Sequence, residues 1–319
     1  MKLAYKHLLR LFNDKLSIED ISKKLFQLGH EHDIENEIFD IELTPNRGDC
    51  LSLLGIARDL NAFFETNLYF DIYDEKIEAL DLDFENLSPE YCPRISFLEL
   101  EIKDVPCKYD NFLESYFDEM KITKNNFFTD ISNYLSYELG QPTHCFDFNK
   151  IQGKITFESK LCNTSFDTLL GDTIDLRGEN CIFTNNNEVI SLAGVMGGES
   201  TACSRETKKV LVECAYFNPE AIIGKSIQYN INSDAAYKFE RGVDINCHEQ
   251  VLRRFIKIVE QYAEVKSCKM ISFNSQKPKK KELSINLEKV NSILGTKISI
   301  EEYQSILKKL GFILDTKIE

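Results

Sequence analysis

Four stretches of the sequence hold side chains that could do chemistry. The first, NYLSYELGQPTHCFDF, carries His144 just after Gly140, Gln141 and Pro142, a turn behind an expected helix. Loops of this kind present functional side chains, and a histidine there can exchange protons near neutral pH. A lone histidine is more often structural, and on the residues alone that reading stands first. The second stretch, SLAGVMGGES, has Gly194, Gly197 and Gly198 but lacks the G-K-[ST] ending of a phosphate-binding loop. A tight turn between strands and a close approach of backbone to a ligand both fit it. In the third, VLVECAYF, Glu213 interrupts an apolar strand. Desolvating even a neutral polar group costs about 2–7 kcal/mol, so this carboxylate either meets an arginine, with Arg205 and Arg241 as candidates, or faces a pocket and binds something polar. The fourth, INSDAAYKFERGVD, sets the small residues Ser233, Ala235 and Ala236 beside Asp234, Glu240 and Arg241. Its plainest reading is a helix capped by Ser233 or Asp234. No Ser-His-Asp order, H-E-x-x-H pattern or dinucleotide fingerprint is present. The residues alone describe a pocket with one histidine, one buried glutamate and glycine-lined backbone.

The elements that must position these groups can be read from periodicity. Residues 1–68 predict a small α+β domain. Ser17 and Asp20 cap a helix with Ile18, Ile21, Leu25 and Leu28 on its apolar face, and Gly29 stops it. Phe39, Ile41 and Leu43 alternate with polar residues as a half-buried strand. After the turn TPNRGDC, Leu53, Leu54, Ala57, Leu60 and Phe64 line a second helix. Residues 69–90 read as an acidic, strand-bearing connector. Residues 91–272 predict a larger domain of mixed helix and sheet. It has a strand in which Leu98, Leu100 and Ile102 alternate with Glu99, Glu101 and Lys103, a helix from Phe112 to Met120, a hairpin turning on Asn185, Asn186 and Asn187, a buried strand at Val210–Glu213, a helix start at Asn218-Pro219 and a helix from His248 to Val265. The basic stretch NSQKPKKKE within 273–282 reads as a linker, and 283–319 as the start of a further small α+β domain. Lys15–Gly29 aligns without gaps to Lys297–Gly311, where Ser299 and Glu302 repeat the cap. Because a lone strand–helix piece cannot bury its apolar face, this last domain is expected to be cut short. The fold class is therefore α+β and multidomain.

Composition narrows the function classes. With 319 residues, 43% of them hydrophobic and 28% charged, the chain is of ordinary globular type. The net charge of −14 argues against a protein that coats nucleic acid through basic patches, though not against a site receiving only the end of an RNA held elsewhere. The ten cysteines are scattered without a C-x-x-C pair, which reads as reduced, mostly buried thiols rather than disulfides or a zinc site. His30 and His32 read as surface residues, and no metal site is expected. No apolar run is long enough for a bilayer and the first residues lack a cleavage site, so no membrane association and a cytoplasmic location are expected.

These stretches together resemble the beta subunit of bacterial phenylalanine–tRNA ligase. ELTPNRGDCLSLLGIARDL, CPRISF, ISNYLSYELGQPTHCFDFNKIQGKI, LAGVMGGESTACSRETKKVLVECAYFNP and SDAAYKFERGVD follow in that family's order over nearly the whole chain. The resemblance implies that residues 91–272 form an editing domain that hydrolyses tyrosine wrongly attached to tRNA(Phe). It implies that Glu213 accepts the tyrosine hydroxyl, that Gly197 leaves room at the pocket, and that Ser233 and Ala235 are small residues controlling access. It places His144 in the site, with Ser132 and Asn133 matching a Thr-Asn pair there, and gives His144, Asn133 and Ser132 the catalytic roles. It further implies a ligase alpha subunit as partner in an alpha2-beta2 complex, tRNA(Phe) and the aminoacyl esters of L-tyrosine and L-phenylalanine as ligands, no cofactor in this chain, and ATP and Mg2+ used by the complete ligase. The sequence departs from the family where LGHEHDIENEIFDIELTPNRGD runs straight through the usual place of an inserted oligonucleotide-binding barrel. A non-catalytic tRNA-binding scaffold is the alternative reading, and a free-standing RNA-binding or deacylating protein a third.

Overall fold

The computed structural model describes residues 1–13, 15–275 and 281–315. Its architecture is α+β with three sheets, as the sequence predicts. Two compact units are present, one of residues 1–42, 53–69 and those from 281 onward, the other of residues 43–52 and 70–275. Most of the lysine-rich segment read as a linker lies outside the described residues.

The first unit contains an antiparallel sheet in which β3 (Ile38–Glu42) lies between β1 (Lys2–Ala4) and β2 (Glu31–Glu35). Phe39 and Ile41 face its core, while Leu43 falls beyond the strand. The helix Ile18–Gln27 begins with the expected reciprocal cap: Ser17 Oγ accepts from Asp20 N at 3.1 Å and the Asp20 carboxylate accepts from Ser17 N. Its echo, Ile300–Lys309, is also ten residues long and is capped by Ser299. The two aligned segments thus fold alike and within one unit. The second predicted helix spans Leu53–Leu60. Phe64 lies beyond it, its ring edge-on to Phe12. His30 corrects the surface reading: it is buried, with Nε2 3.1 Å from Asp59 Oδ2. His32 is half-buried, its Nδ1 2.9 Å from the His30 carbonyl. That leaves Nε2 to accept from Ser22 Oγ at 2.8 Å.

The second unit has two five-stranded sheets. Its strands are β4 (Glu78–Ala79), β5 (Phe84–Asn86), β6 (Arg94–Ile102), β7 (His144–Asp147), β8 (Ile155–Asp167), β9 (Thr173–Asn185), β10 (Glu188–Leu192), β11 (Met196–Gly197), β12 (Lys209–Tyr216) and β13 (Val265–Asn274). One sheet runs in the order β4-β13-β6-β12-β7 and the other β11-β10-β9-β8-β5. Asn186 and Asn187, both at positive φ, close the β9–β10 hairpin as a two-residue turn of the kind that matches strand twist. β6, the strand expected from the alternation at Leu98, Leu100 and Ile102, is central and buried on both faces. Ile95 and Phe97 join a core with Phe157, Phe183 and Leu211, and the opposite face carries Leu98 and Leu100. Glu99 is buried against Lys209 Nζ at 2.9 Å.

The helix His248–Glu260 covers the side of this sheet away from that core, beside the helix Phe127–Leu139. It stops short of the predicted end because Val265 pairs with Ile102 in β13. Arg254 joins the two helices through a buried bidentate bridge, Nε and Nη2 each 2.8 Å from a Glu138 oxygen, and Tyr134 Oη donates to the same carboxylate at 2.8 Å. Removing one partner strands the other charge in the interior. Arg254→Met is therefore expected to cost about 3–5 kcal/mol in urea unfolding, whereas loss of the exposed Arg177–Asp175 pair should leave the midpoint almost unmoved.

Candidate active site

Strand register brings the glutamate and the histidine together. β12 lies between β6 and β7, so Glu213 has Phe97 opposite it on one side and His144 on the other. Residues directly opposite in antiparallel strands share a face, and this face is the one that Leu211 and Ala215 turn to the core between the sheets. Glu213 is therefore an acid within an apolar layer, 5% exposed. Arg205 and Arg241 do not meet it: the first reaches Asn125 O, and the second lies over the Tyr237 ring at 3.5 Å. Among the described residues no ion pair or hydrogen bond reaches its carboxyl, and burial alone pushes its pKa up to about 8.

His144 shows the mirror condition. Burial lowers its pKa to about 4, and Nε2 is buried with no hydrogen-bond partner among the described residues. Its ring stands edge-on to Phe146, 4.4 Å between centroids. Both groups are thus neutral at pH 7. They are neighbours on adjacent strands that do not bond to each other, so each keeps its hydrogen-bonding capacity for a third group.

Gly197 lies against the histidine. A Cβ built there would lie 2.3 Å from His144 Cε1, 2.9 Å from His144 Nε2 and 2.6 Å from Leu169 Cδ1. A side chain at this position thus meets the protein's own atoms, so it would displace the histidine as well as obstruct a ligand. Gly194 in the same stretch serves the turn reading instead: its φ is +69° and a Cβ would strike Ile222 and Phe217.

The remaining predicted site residues lie on or beside two helices, Phe127–Leu139 and Asp234–Phe239. Ser132 Oγ lies 2.7 Å from both Thr143 O and Thr143 Oγ1. That bond pins the helix Phe127–Leu139 to the residue before His144. Asn133 follows on the same helix, half-buried. Ser233 caps the helix Asp234–Phe239 by accepting from Ala236 N, and its hydroxyl donates to Val195 O at 2.7 Å, two residues before Gly197. Ala235 packs on the inter-sheet core. Lys238, buried in that helix, donates to Ser136 O and Oγ, each at 2.7 Å, and so ties the two site-bearing helices together. His144 therefore meets both Glu213, across the strand pair, and Gly197; Ser132 is tied to the residue before His144 and Ser233 to the residue two before Gly197; Asn133 and Ala235 lie on the same two helices. Sequence reasoning missed Phe97, Phe146 and Leu169. Strand alternation could have found the two phenylalanines, but nothing local marks Leu169. Two grooves open elsewhere, one of about 500 Å³ bordered by Asp167, Glu188 and Glu199 and one of about 880 Å³ bordered by Phe26 and Ile34; neither is lined by Glu213, His144 or Gly197. All ten cysteines are free thiols, six of them buried, as expected from their spacing. No helix among the described residues is long and apolar enough to cross a membrane.

A buried, neutral acid and histidine thus sit side by side between two sheets of an α+β scaffold. Residues 102–264 match the B3/4 domain model, and the chain belongs to that family. Its relatives are larger proteins. It is 32% identical over 291 residues to the phenylalanine–tRNA ligase beta subunit of Fusobacterium nucleatum, covering 88% of this chain and 36% of that protein. It is 30% identical over 287 residues to the beta subunit of Neisseria gonorrhoeae, covering 88% and 36%, and 31% identical over 315 residues to that of Burkholderia lata, covering 98% and 38%. The chain thus spans little more than a third of the length of these curated relatives. Among solved structures, an N-terminal fragment of the phenylalanyl-tRNA synthetase beta subunit from Pyrococcus horikoshii aligns with a TM-score of 0.49 at 14% identity, covering 99% of this chain and 90% of that one.

Two measurements follow from the site. The unfolded chain releases the Glu213 proton near pH 4.5, whereas the folded chain holds it to about 8. Folding stability should therefore fall by about 1.4 kcal/mol per pH unit between these values. Glu213→Gln cannot ionise, so its stability relative to wild type should rise across that window in urea titrations. His144 has the opposite sign, its stability being lost as pH falls from 6.5 towards 4. Gly197→Ala should destabilise the fold by about 1–3 kcal/mol through overpacking, read as a lower thermal midpoint.

Proposed function

We propose that this chain is a section of a phenylalanine–tRNA ligase beta subunit, and that its B3/4 domain hydrolyses tyrosine esterified to tRNA(Phe). The observation that carries the reading is the Glu213–His144 pair: two buried, neutral, unbonded groups side by side on adjacent strands. Phenylalanine and tyrosine differ by one hydroxyl, and a hydrophobic pocket rejects an added hydroxyl only weakly. A second site that binds the hydroxyl removes the error. A neutral carboxyl both donates and accepts, so Glu213 can hold a phenol in either sense, and a phenylalanyl ester would leave it unpaired.

In the reaction, water attacks the ester carbonyl carbon, the bond to the terminal ribose oxygen breaks, and tyrosine and tRNA with a free ribose hydroxyl are released. With its pKa lowered to about 4, His144 is a weak base, and no carboxylate is bonded to its ring to orient it. It serves better to position the substrate or the attacking water. Ser132, Asn133 and the backbone amides near Gly197 are assigned to holding that water and the carbonyl oxygen. Ser233 and Ala235 set the width of the entrance.

The rest of the assignment follows the relatives. The chain would work in a complex with a ligase alpha subunit and tRNA(Phe) in the cytoplasm, where ATP and Mg2+ serve aminoacylation. The Glu213 site itself does not fit Mg2+, which takes charged oxygen ligands, because its one carboxyl is held neutral. No step of the hydrolysis is routed through the metal.

The test is release of tyrosine from Tyr-tRNA(Phe) by the complete ligase. Glu213→Ala should lose at least about tenfold in kcat/KM, the equivalent of one hydrogen bond of about 1.4 kcal/mol. Ala235→Trp should block hydrolysis while leaving aminoacylation with phenylalanine intact. Hydrolysis at the wild-type rate by both variants would refute the site.

A further inference from the structure

The hairpin formed by β8 and β9 ends in Thr168-Leu169-Leu170-Gly171-Asp172. Its turn is closed by hydrogen bonds from Thr168 N to Asp172 O at 2.8 Å and from Gly171 N to Thr168 O at 3.0 Å. Two leucines at such a tip are unusual in chemistry, since turns are commonly polar. They are also not equivalent. Leu170 is 68% exposed, whereas Leu169 is 41% exposed and laid against β11. The Leu169 amide donates to Gly197 O at 3.0 Å, and Thr168 bridges Gly198. The backbone of the tip is thereby fastened beside the Glu213–His144 pair.

The Leu169 side chain lies across the remaining gap. Its Cδ1 and the His144 Nε2 stand 2.6 Å and 2.9 Å from the same point above Gly197, where a Cβ would be. The leucine methyl and the imidazole both border that point, so the two side chains are near neighbours beside the glycine. That nitrogen is the one buried without a partner, and a buried polar atom turned to hydrocarbon costs free energy that a hydrogen bond would return. The hydrogen bonds hold the backbone of the tip, so the part able to move is the half-exposed side chain, and rotamer changes of such residues are fast.

We propose that Leu169 is a specificity-determining wall of this site, a side-chain gate that turns aside as an aromatic aminoacyl ester enters and then packs against its ring. Displacing the methyl frees His144 Nε2 to bond a polar group of the ester. Phe97 and Phe146, beside Glu213 and His144, supply the facing apolar surface. A ring held between leucine and phenylalanine carries its hydroxyl to Glu213, and a small or charged side chain would leave that space unfilled. The proposal rests on the editing reading above.

Two measurements test it. In the complete ligase, Leu169→Ala should raise KM for Tyr-tRNA(Phe) about tenfold with kcat nearly unchanged. Leu169→Met should remain near wild type, and Leu170→Ala should stay within about twofold. In the chain itself, NMR titration of the His144 ring should show a midpoint near 4 in wild type and a rise towards the ordinary histidine range in Leu169→Ala as water reaches Nε2. Leu169→Val, shortened but still apolar, should shift both readouts the same way by less and guards against a folding defect. A wild-type KM together with an unmoved His144 midpoint in Leu169→Ala overturns the proposal. So does a Leu170→Ala that reproduces Leu169→Ala, since the tip would then act as a unit. Failure of the wild-type ligase to release tyrosine would sink the editing reading and the substrate role with it, while the titration would still report whether Leu169 covers His144.

Discussion

Burial of one carboxyl group without a charged partner is the constraint around which the second unit is arranged. Glu213 is flanked along its strand by Leu211 and Ala215 and across it by Phe97 and His144. In water it would ionise; between two sheets it keeps its proton. A fold tolerates such a group when the surrounding apolar burial outweighs its desolvation, and here that burial comes from a core drawn from both sheets. The same apolar layer that supports the fold is what makes the carboxyl neutral, so stability and chemistry at this position have one cause.

The supporting residues divide the work. Ser132 and Ser233 carry hydroxyls that could suggest nucleophiles, yet each bonds to a main-chain carbonyl, that of Thr143 and that of Val195 respectively. Lys238 and the Arg254–Glu138 bridge act at longer range, the first joining the two helices that carry those serines and the second fixing the helix Phe127–Leu139 against its neighbour. Polar side chains here hold the elements around Glu213 and His144, whose own neighbours are mostly hydrocarbon and glycine.

Much of this was legible in the sequence because the signals were local. The Ser17–Asp20 box, the Ser233 cap and the asparagine turn depend on residues a few positions apart; the box formed as read, Ser233 rather than Asp234 is the cap, and the turn formed on Asn186 and Asn187 with Asn185 in the strand. The apolar run around Glu213 showed that the acid must be buried. What it faced was not visible, since Arg205 and Arg241 were equally plausible until strand register excluded both. His30 misled for a related reason: a polar residue in a charged stretch looks solvated until a partner distant in sequence, Asp59, is brought beside it. Leu169 gave no signal at all, since its significance lies in a contact with Gly197 and His144 that no short window contains.

The pairing of β7 with β12 has a consequence for how the site comes into being. His144 and Glu213 are nearly seventy residues apart, and they become neighbours only when β12 has joined both of its partner strands in one register. Because side chains alternate along a strand, a slip of one residue would turn Glu213 to the helix-covered face and present Val212 or Cys214 in its place. Such long-range closure belongs to the slow part of folding. A chain emerging from synthesis therefore has no partly formed version of this pocket: the site is absent until the sheet is complete, and its appearance marks a finished domain.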